Sequence, residues 1–160
     1  MKAIWGLIGQ CIFYVLIPFW HVYFRFSRQR SRVLVVYEGN VLLVRGWIST
    51  NDYSLPGGGC KPGETLRACA VRELSEEVGI TVPESSLIPL GKKTIRRFGF
   101  YYIGEFYAVH ITEKPEVKKQ LAEIFTYQWV PLGEAHKANI DEAAKYALRR
   151  YQPPVTPSLL

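Results

Sequence analysis

The chain has 160 residues, 48% of them apolar and 21% charged, with a net charge of +6. This length suits one domain with a sizeable core, and the composition excludes a disordered chain. The basic residues come without a recognisable nucleic-acid-binding motif, so binding to a nucleic acid polymer is not expected. The three cysteines show no CxxC spacing. They predict neither a zinc site nor a disulfide framework, and they favour a reducing compartment.

The first predicted element is an apolar N-terminal segment. Residues 3–24 contain no Asp, Glu, Lys or Arg, and as a helix they would span ~33 Å, about one hydrocarbon core. Aromatic residues lie near both ends, and arginines follow at 25–32. By the positive-inside rule this predicts a cytoplasmic protein anchored to the cytoplasmic face of a membrane. The alternatives are an interfacial anchor, or a helix that packs on the domain or on a dimer partner.

The rest of the chain mixes strand and helix patterns. Residues 33–37 and 41–44 predict two strands joined by a turn, and residues 53–55 predict a short third strand. The aromatic region 94–111 is β-rich, and apolar residues on both faces indicate mostly core side chains. A strand at 125–130 and a helix within 132–151 follow. We therefore divide the chain into a hydrophobic segment with a basic flank (1–30), one domain (31–152) and a proline-containing tail (153–160).

A glycine-rich loop follows the short third strand. Gly57, Gly58 and Gly59 are consecutive, so the backbone can bend tightly and come close to a ligand. Amide groups there, with the N-terminus of the next helix, can face phosphate oxygens. We interpret Cys60, within this loop, as a small filler, with a redox-sensitive role as the alternative.

The next helix, predicted over 65–78 and ended by Gly79, carries three glutamates on one face. Glu73, Glu76 and Glu77 stand at i, i+3 and i+4. Because like charges repel, such a cluster suits a bound cation, and carboxylate oxygens suit Mg²⁺ or Mn²⁺. Arg72 precedes Glu76 by four residues and can pair with it. The alternative is a solvated acidic face with ordinary ion pairs.

The segment 58–80 resembles the Nudix box. That box has a glycine, five residues, a glutamate, seven residues and then Arg-Glu-apolar-x-Glu-Glu-x-Gly-apolar, and every defined position matches. The resemblance covers about residues 31–152. It implies an α/β/α sandwich with a mixed β-sheet, here preceded by the N-terminal hydrophobic helix. It also implies hydrolysis of a diphosphate linked to another moiety, often a nucleoside, with divalent cations.

The resemblance also assigns expected roles to residues. The expected ligands of Mg²⁺, or of Mn²⁺ as the other candidate, are Glu73, Glu76 and Glu77. Arg72 is expected to orient them. Glu64 supports the helix start or the outer metal shell. Relatives often use a further glutamate outside the box, and here Glu123 is the candidate.

The expected function is Mg²⁺-dependent hydrolysis of a diphosphate linkage in a nucleoside diphosphate derivative. One alternative is a Nudix module that senses a nucleotide without turnover. Another is hydrolysis of a lipid-linked diphosphate at the membrane. Arg96 and Arg97 are candidate ligands of substrate phosphates, with a solvated hairpin as the alternative. Relatives are often dimers, so the resemblance also implies a homodimer.

Overall fold

The fold is organised around one mixed β-sheet. The computed structural model describes residues 29–46, 52–97, 100–113, 115–117 and 124–153. Within them, five strands lie in the order β3-β4-β1-β2-β5. The parallel pair is β1 with β4, and the other neighbours are antiparallel. The strands are β1 (Gln29–Tyr37), β2 (Asn40–Gly46), β3 (Ile88–Arg97), β4 (Phe100–His110) and β5 (Ile124–Pro131).

Two helices complete the described part, α1 (Leu66–Val78) and α2 (Glu142–Arg150). They cover opposite faces of the sheet. This follows because successive side chains of β1 point to opposite faces and belong to two different apolar clusters. Val33 and Val35 lie in the cluster that contains Ala70, Leu74 and Val78 of α1. Leu34 and Val36 lie in the cluster that contains alanines of α2. The predicted α/β/α sandwich with a mixed sheet is thus confirmed.

The predicted turn between the first two strands is present. Tyr37 pairs with Asn40, so Glu38 and Gly39 form a two-residue loop. Both have positive φ, 45° and 72°, as in the primed turns whose twist matches that of the flanking strands. The strand before this turn starts at Gln29, four residues earlier than predicted.

The predicted C-terminal helix is shorter than expected. Residues 132–140 form turns and a short 3-10 helix, Ala135–Lys137. Ile140 makes a parallel bridge with Tyr53, which requires extended backbone. Asp141 then caps α2 by accepting a hydrogen bond from the Ala144 amide at 2.8 Å. The helical pattern in the sequence therefore placed the start of the predicted helix too early, ahead of the capping residue Asp141.

The aromatic region divides between core and surface. Tyr102, Phe106 and Tyr107 are buried as predicted, whereas Tyr101 is 65% exposed. No helix in the described ranges has both the length and the apolar character needed to cross a membrane. The segment 3–24, for which an anchoring helix is predicted, lies outside these ranges.

Candidate active site

The glycine loop lies along the start of β1. The Ser31 amide donates to Gly58 O at 3.0 Å, and the Val33 amide donates to Pro56 O at 2.9 Å. Gly57 has a φ of +134°, and a Cβ there would overlap the Ser31 carbonyl oxygen and lie 2.9 Å from Arg32 Cα. Glycine at this position therefore allows the loop to pack directly on β1.

The helix that carries the glutamates is capped at both ends. Thr65 Oγ1 accepts a hydrogen bond from the Ala68 amide at 3.0 Å, which satisfies a free donor of the first turn. Gly79 adopts the left-handed conformation with a φ of 73°, and its amide bonds to Ser75 O. The helix ends at Val78 as predicted and begins at Leu66, one residue after the predicted start, and the two caps fix the position of the acidic face.

Arg72 connects the loop to three carboxylates. Its Nε and Nη2 donate to the two oxygens of Glu64, at 2.7 and 2.8 Å. Its Nη1 donates to both Glu73 Oε1 and Glu76 Oε2, each at 2.8 Å, and Nη2 also reaches Gly59 O at 3.0 Å. The hydrogen bond to Glu64 is the main cause that raises the pKa of Arg72. One guanidinium therefore orders both the loop and the acidic face.

The three glutamates of the acidic face differ in burial. Glu73 and Glu77 are buried, with 8% and 7% exposure, whereas the side chain of Glu76 is 48% exposed. Burial raises the pKa of Glu73, and the hydrogen bond and charge of Arg72 oppose that shift without reversing it. Glu77 Oε2 accepts a hydrogen bond from the Gly57 amide at 2.6 Å. Glu77 is thus bonded directly to the glycine loop, and Glu73 is joined to it through Arg72.

Arg32 lies beneath the same loop and was missed by sequence reasoning. Its Nη1 donates to Leu55 O at 2.9 Å and also to Gly57 O. Burial alone would lower its pKa, but nearby Tyr102 and the acidic side chains, Glu77 first among them, raise it. The sequence offered one signal, since this arginine stands directly before the apolar run of β1. A charge buried beside such a run needs partners, which marks the residue as one with a structural or functional contact.

Cysteine pairing corrects a sequence prediction. Cys60 and Cys69 form a disulfide, with their Cα atoms 5.3 Å apart, although the spacing predicted none. Cys60 lies in the loop and Cys69 in the first turns of α1, and folding of the loop against the helix brings them together. The expectation of a reducing compartment, which rested on the absence of a disulfide, loses its basis.

The remaining predicted site residues lie elsewhere or outside the described ranges. Arg96 is on β3, an edge strand, and its guanidinium lies 5.8 Å from the centroid of the Tyr101 ring. Arg97 is the last residue of β3, and its side chain is outside the described part. Glu123 is also outside it. The described contacts therefore join the glycines, Arg72 and the glutamates of the box, and they include none between Arg96 and these residues.

The donor chemistry of Glu73, Glu76 and Glu77 suits a divalent cation. Its donors are hard oxygens, which Mg²⁺ and Mn²⁺ prefer. The hydrogen bonds of Glu73, Glu76 and Glu77 described above each use one carboxylate oxygen. An ionised carboxylate offers about four acceptor positions, so ligation is compatible with these bonds.

Glu64 gives a prediction on stability. Its carboxylate accepts from the Lys61 amide at 2.9 Å, and the hydrogen bonds of Arg72 lower its pKa to about 2. Because this folded-state pKa lies below the unfolded one, the contribution of Glu64 to stability is complete above about pH 4.5 and is lost as pH falls toward 2. Glu64→Gln should lower the free energy of unfolding by about 1–2 kcal/mol at pH 7.

The measurement is urea unfolding of wild type and Glu64→Gln between pH 7 and pH 3. The difference between them should shrink on acidification. Glu134→Gln, which changes an exposed glutamate, is the control and should follow wild type. A difference that stays constant over this pH range would contradict the assignment of the low pKa to Glu64.

Gly58 gives a prediction on activity. A Cβ at Gly58 would lie 2.5 Å from Cδ and 2.7 Å from Oε1 of Glu73, so Gly58→Ala must displace that carboxylate. We expect kcat to fall about 10–100-fold, the usual effect of moving a group that supports a metal site. Gly133→Ala, where an added Cβ meets nothing within 4 Å, should keep full activity. Wild-type kinetics in Gly58→Ala would show that the position of Glu73 is unimportant.

The sandwich and the capped acidic helix define the class of protein, a hydrolase with the Nudix architecture. The chain belongs to the Nudix family: the family model described as NUDIX domain matches residues 27–151. It is accordingly a Nudix-type diphosphate hydrolase, and enzymes of this family generally use divalent metal ions.

Solved structures share the fold at low sequence identity. A MutT Nudix hydrolase from Burkholderia pseudomallei is 20% identical, with a TM-score of 0.69 over 78% of this chain and 98% of that one. The E. coli dihydroneopterin triphosphate pyrophosphohydrolase is 16% identical, with a TM-score of 0.67 over 78% and 94%. The Nudix domain of Shewanella oneidensis NrtR, complexed with ADP ribose, is 16% identical, with a TM-score of 0.67 over 78% and 85%.

Proposed function

We propose that this protein hydrolyses a diphosphate linkage in a small nucleoside diphosphate derivative, with Mg²⁺ as its cation and Mn²⁺ as a substitute. The observation that carries the proposal is the hydrogen-bond set of Arg72. It joins Gly59 of the loop to Glu64, Glu73 and Glu76. The guanidinium of Arg72 thus orders both the glycine loop and the carboxylate cluster. Such a site suits a substrate that bridges the loop and the carboxylates.

The residues of the site have different proposed roles. Glu73, Glu76 and Glu77 would hold the cation, and bound Mg²⁺ supplies Lewis-acid stabilisation of charge on the phosphate oxygens. The loop from Gly57 to Gly59 would border the bound substrate, because it lies directly against Glu73 and Glu77. One of these glutamates would accept the proton of the attacking water, and Glu76, whose side chain is 48% exposed, is the most accessible of them to solvent. Arg72 acts as a positioning residue.

The substrate class draws support from the structural relatives. One of them is bound to ADP ribose, and another is named for a triphosphate of dihydroneopterin. Both ligands join a phosphate chain to a heterocycle-containing moiety. We propose the same class of substrate for this chain. The relatives themselves, at 16% identity, show the fold.

A panel of substrates tests the proposal. Full-length protein freed of metal by a chelator is assayed on ADP-ribose, nucleoside triphosphates, dinucleoside polyphosphates and a lipid diphosphate, with and without Mg²⁺ or Mn²⁺, and products are identified. We expect Mg²⁺-dependent cleavage of a nucleotide derivative. Metal-independent turnover that Glu77→Gln leaves unchanged would contradict the proposal. Tight nucleotide binding with no product over hours would instead indicate a sensing module.

We also propose a membrane anchor, which rests on the apolar N-terminal sequence, and a homodimer, which rests on the family resemblance. Residues 3–24 anchor the protein to a membrane, and the protein forms a homodimer. Membrane fractionation of the full-length chain and of a chain lacking residues 1–30 tests the anchor, and light scattering tests the dimer. If the anchor also selects a lipid-linked diphosphate, only the longer chain should cleave it.

A further inference from the structure

The disulfide links the two parts of the active site. Cys60 directly follows the glycine loop, and Cys69 lies in α1, one turn before Arg72. The bond closes a ring of residues that includes Glu64 and the capping residue Thr65. One carboxylate oxygen of Glu64 and the two sulfur atoms all lie within 4.8 Å of one another. The covalent link is therefore a close neighbour of the Arg72–Glu64 ion pair.

Arg72 connects this disulfide to the acidic face. Its Nη2 lies 3.8 Å from Cys69 Sγ and donates to Gly59 O, the carbonyl next to Cys60. The Nη1 of the same guanidinium holds Glu73 and Glu76. If the loop moves away from α1, the bond from Arg72 to Gly59 is lost, and the guanidinium can turn away from the two glutamates.

We propose that Cys60 and Cys69 form a reversible redox modification site that controls the hydrolase, with the disulfide state as the more active one. The inference rests on the proposed function, because its readout is turnover. In the oxidised state the loop is fixed to α1 before substrate binds. In the reduced state the loop keeps its hydrogen bonds to β1 but loses the covalent link to α1, so holding the loop against α1 opposes substrate binding and turnover.

The two cysteines differ in access, which sets the order of the exchange reaction. Cys69 is fully buried, whereas Cys60 is partly exposed. In oxidation by a small-molecule disulfide, the Cys60 thiolate attacks one sulfur and releases one thiol, leaving a mixed disulfide. The Cys69 thiolate then attacks the sulfur of Cys60, and the second thiol leaves. Two protein thiols are thereby oxidised, and one small-molecule disulfide is reduced to two thiols.

The test compares oxidised and reduced full-length protein in a Cys11→Ser background, which removes the third cysteine. Peptide mapping after treatment with glutathione disulfide or dithiothreitol defines the state of the pair. We expect reduction to lower kcat/KM about 10-fold or more, the size of effect seen when support of a metal site is disturbed. Reoxidation should restore it. Cys60→Ser should show the reduced value in both buffers, and Cys69→Ala provides a second variant without the disulfide.

Hydrogen exchange separates this proposal from the proposed function. Amides of residues 57–61 should exchange faster after reduction, while those of β4 should not change. Equal kcat/KM and equal exchange in the two states would overturn the redox proposal, as would mapping that finds no Cys60–Cys69 bond after oxidation. No turnover in either state, with exchange at 57–61 still responding, would contradict the hydrolase function and support the redox coupling of the loop.

Discussion

Glu77→Gln is expected to lower kcat by about 10³-fold or more while the protein stays folded. The loss follows from removing one negative charge from the set that would hold the cation, since a bound metal contributes several kcal/mol to the transition state. The fold tolerates the change because the amide oxygen of glutamine can still accept the hydrogen bond that the Gly57 amide gives to Glu77. The free energy of unfolding should fall by about 1–3 kcal/mol, because the charge of Glu77 also supports the buried guanidinium of Arg32.

The measurement pairs steady-state kinetics with urea unfolding. Glu134→Gln, at an exposed position, controls for the loss of one carboxylate and should match wild type in both assays. Raising the Mg²⁺ concentration should recover part of the activity of Glu77→Gln if the defect is weaker ligation. Full activity of Glu77→Gln at low Mg²⁺ would remove Glu77 from the proposed ligand set.

Arg72→Lys should lower kcat about 10–100-fold and should also destabilise the fold by about 2 kcal/mol. Arg72 makes five hydrogen bonds to oxygen, two of them to the two oxygens of Glu64. An ammonium has three donors at a single nitrogen and cannot reproduce this planar arrangement. The charge stays the same, so the experiment isolates geometry from charge.

A second arginine of α1 provides the matched control for Arg72→Lys. Arg67 Nη1 donates to Glu84 O and Leu87 O, at 2.7 and 2.8 Å, and so ties the helix to the following loop. Arg67→Lys should cost stability but keep kcat near the wild-type value. If both variants lose activity in proportion to stability, Arg72 has only a structural role.

The local parts of the site could be predicted from the sequence. Helix geometry fixes which side chains share a face, so the spacing of Glu73, Glu76 and Glu77 was informative without a structure. The left-handed conformation at Gly79 and the ion pair of Arg72 with Glu76 also depend on near neighbours in the chain. The α/β/α layers and the mixed sheet came from the family resemblance, whereas the order of the strands came from the structure, because periodicity alone does not pair strands.

Contacts between distant segments could not be predicted in the same way. Helical periodicity placed a helix over 132–151, but the bridge of Ile140 to Tyr53 required extended backbone there. Arg32 approaches the loop only because β1 and the loop pair side by side, and its partners Leu55 and Gly57 are 23 and 25 residues away. Such partners depend on how strands and loops assemble in space.

The sequence by itself determined the family, the helix that carries the carboxylates and the kind of chemistry they suit, because each of these rests on spacing within one helix and its adjoining loop. Only the tertiary structure decided that Glu73 and Glu77 are buried against the loop, that Arg72 joins the loop to the acidic face, and that Cys60 meets Cys69. The physical reason is that burial and side-chain contact depend on the packing of the loop between β1 and α1, which no local pattern encodes.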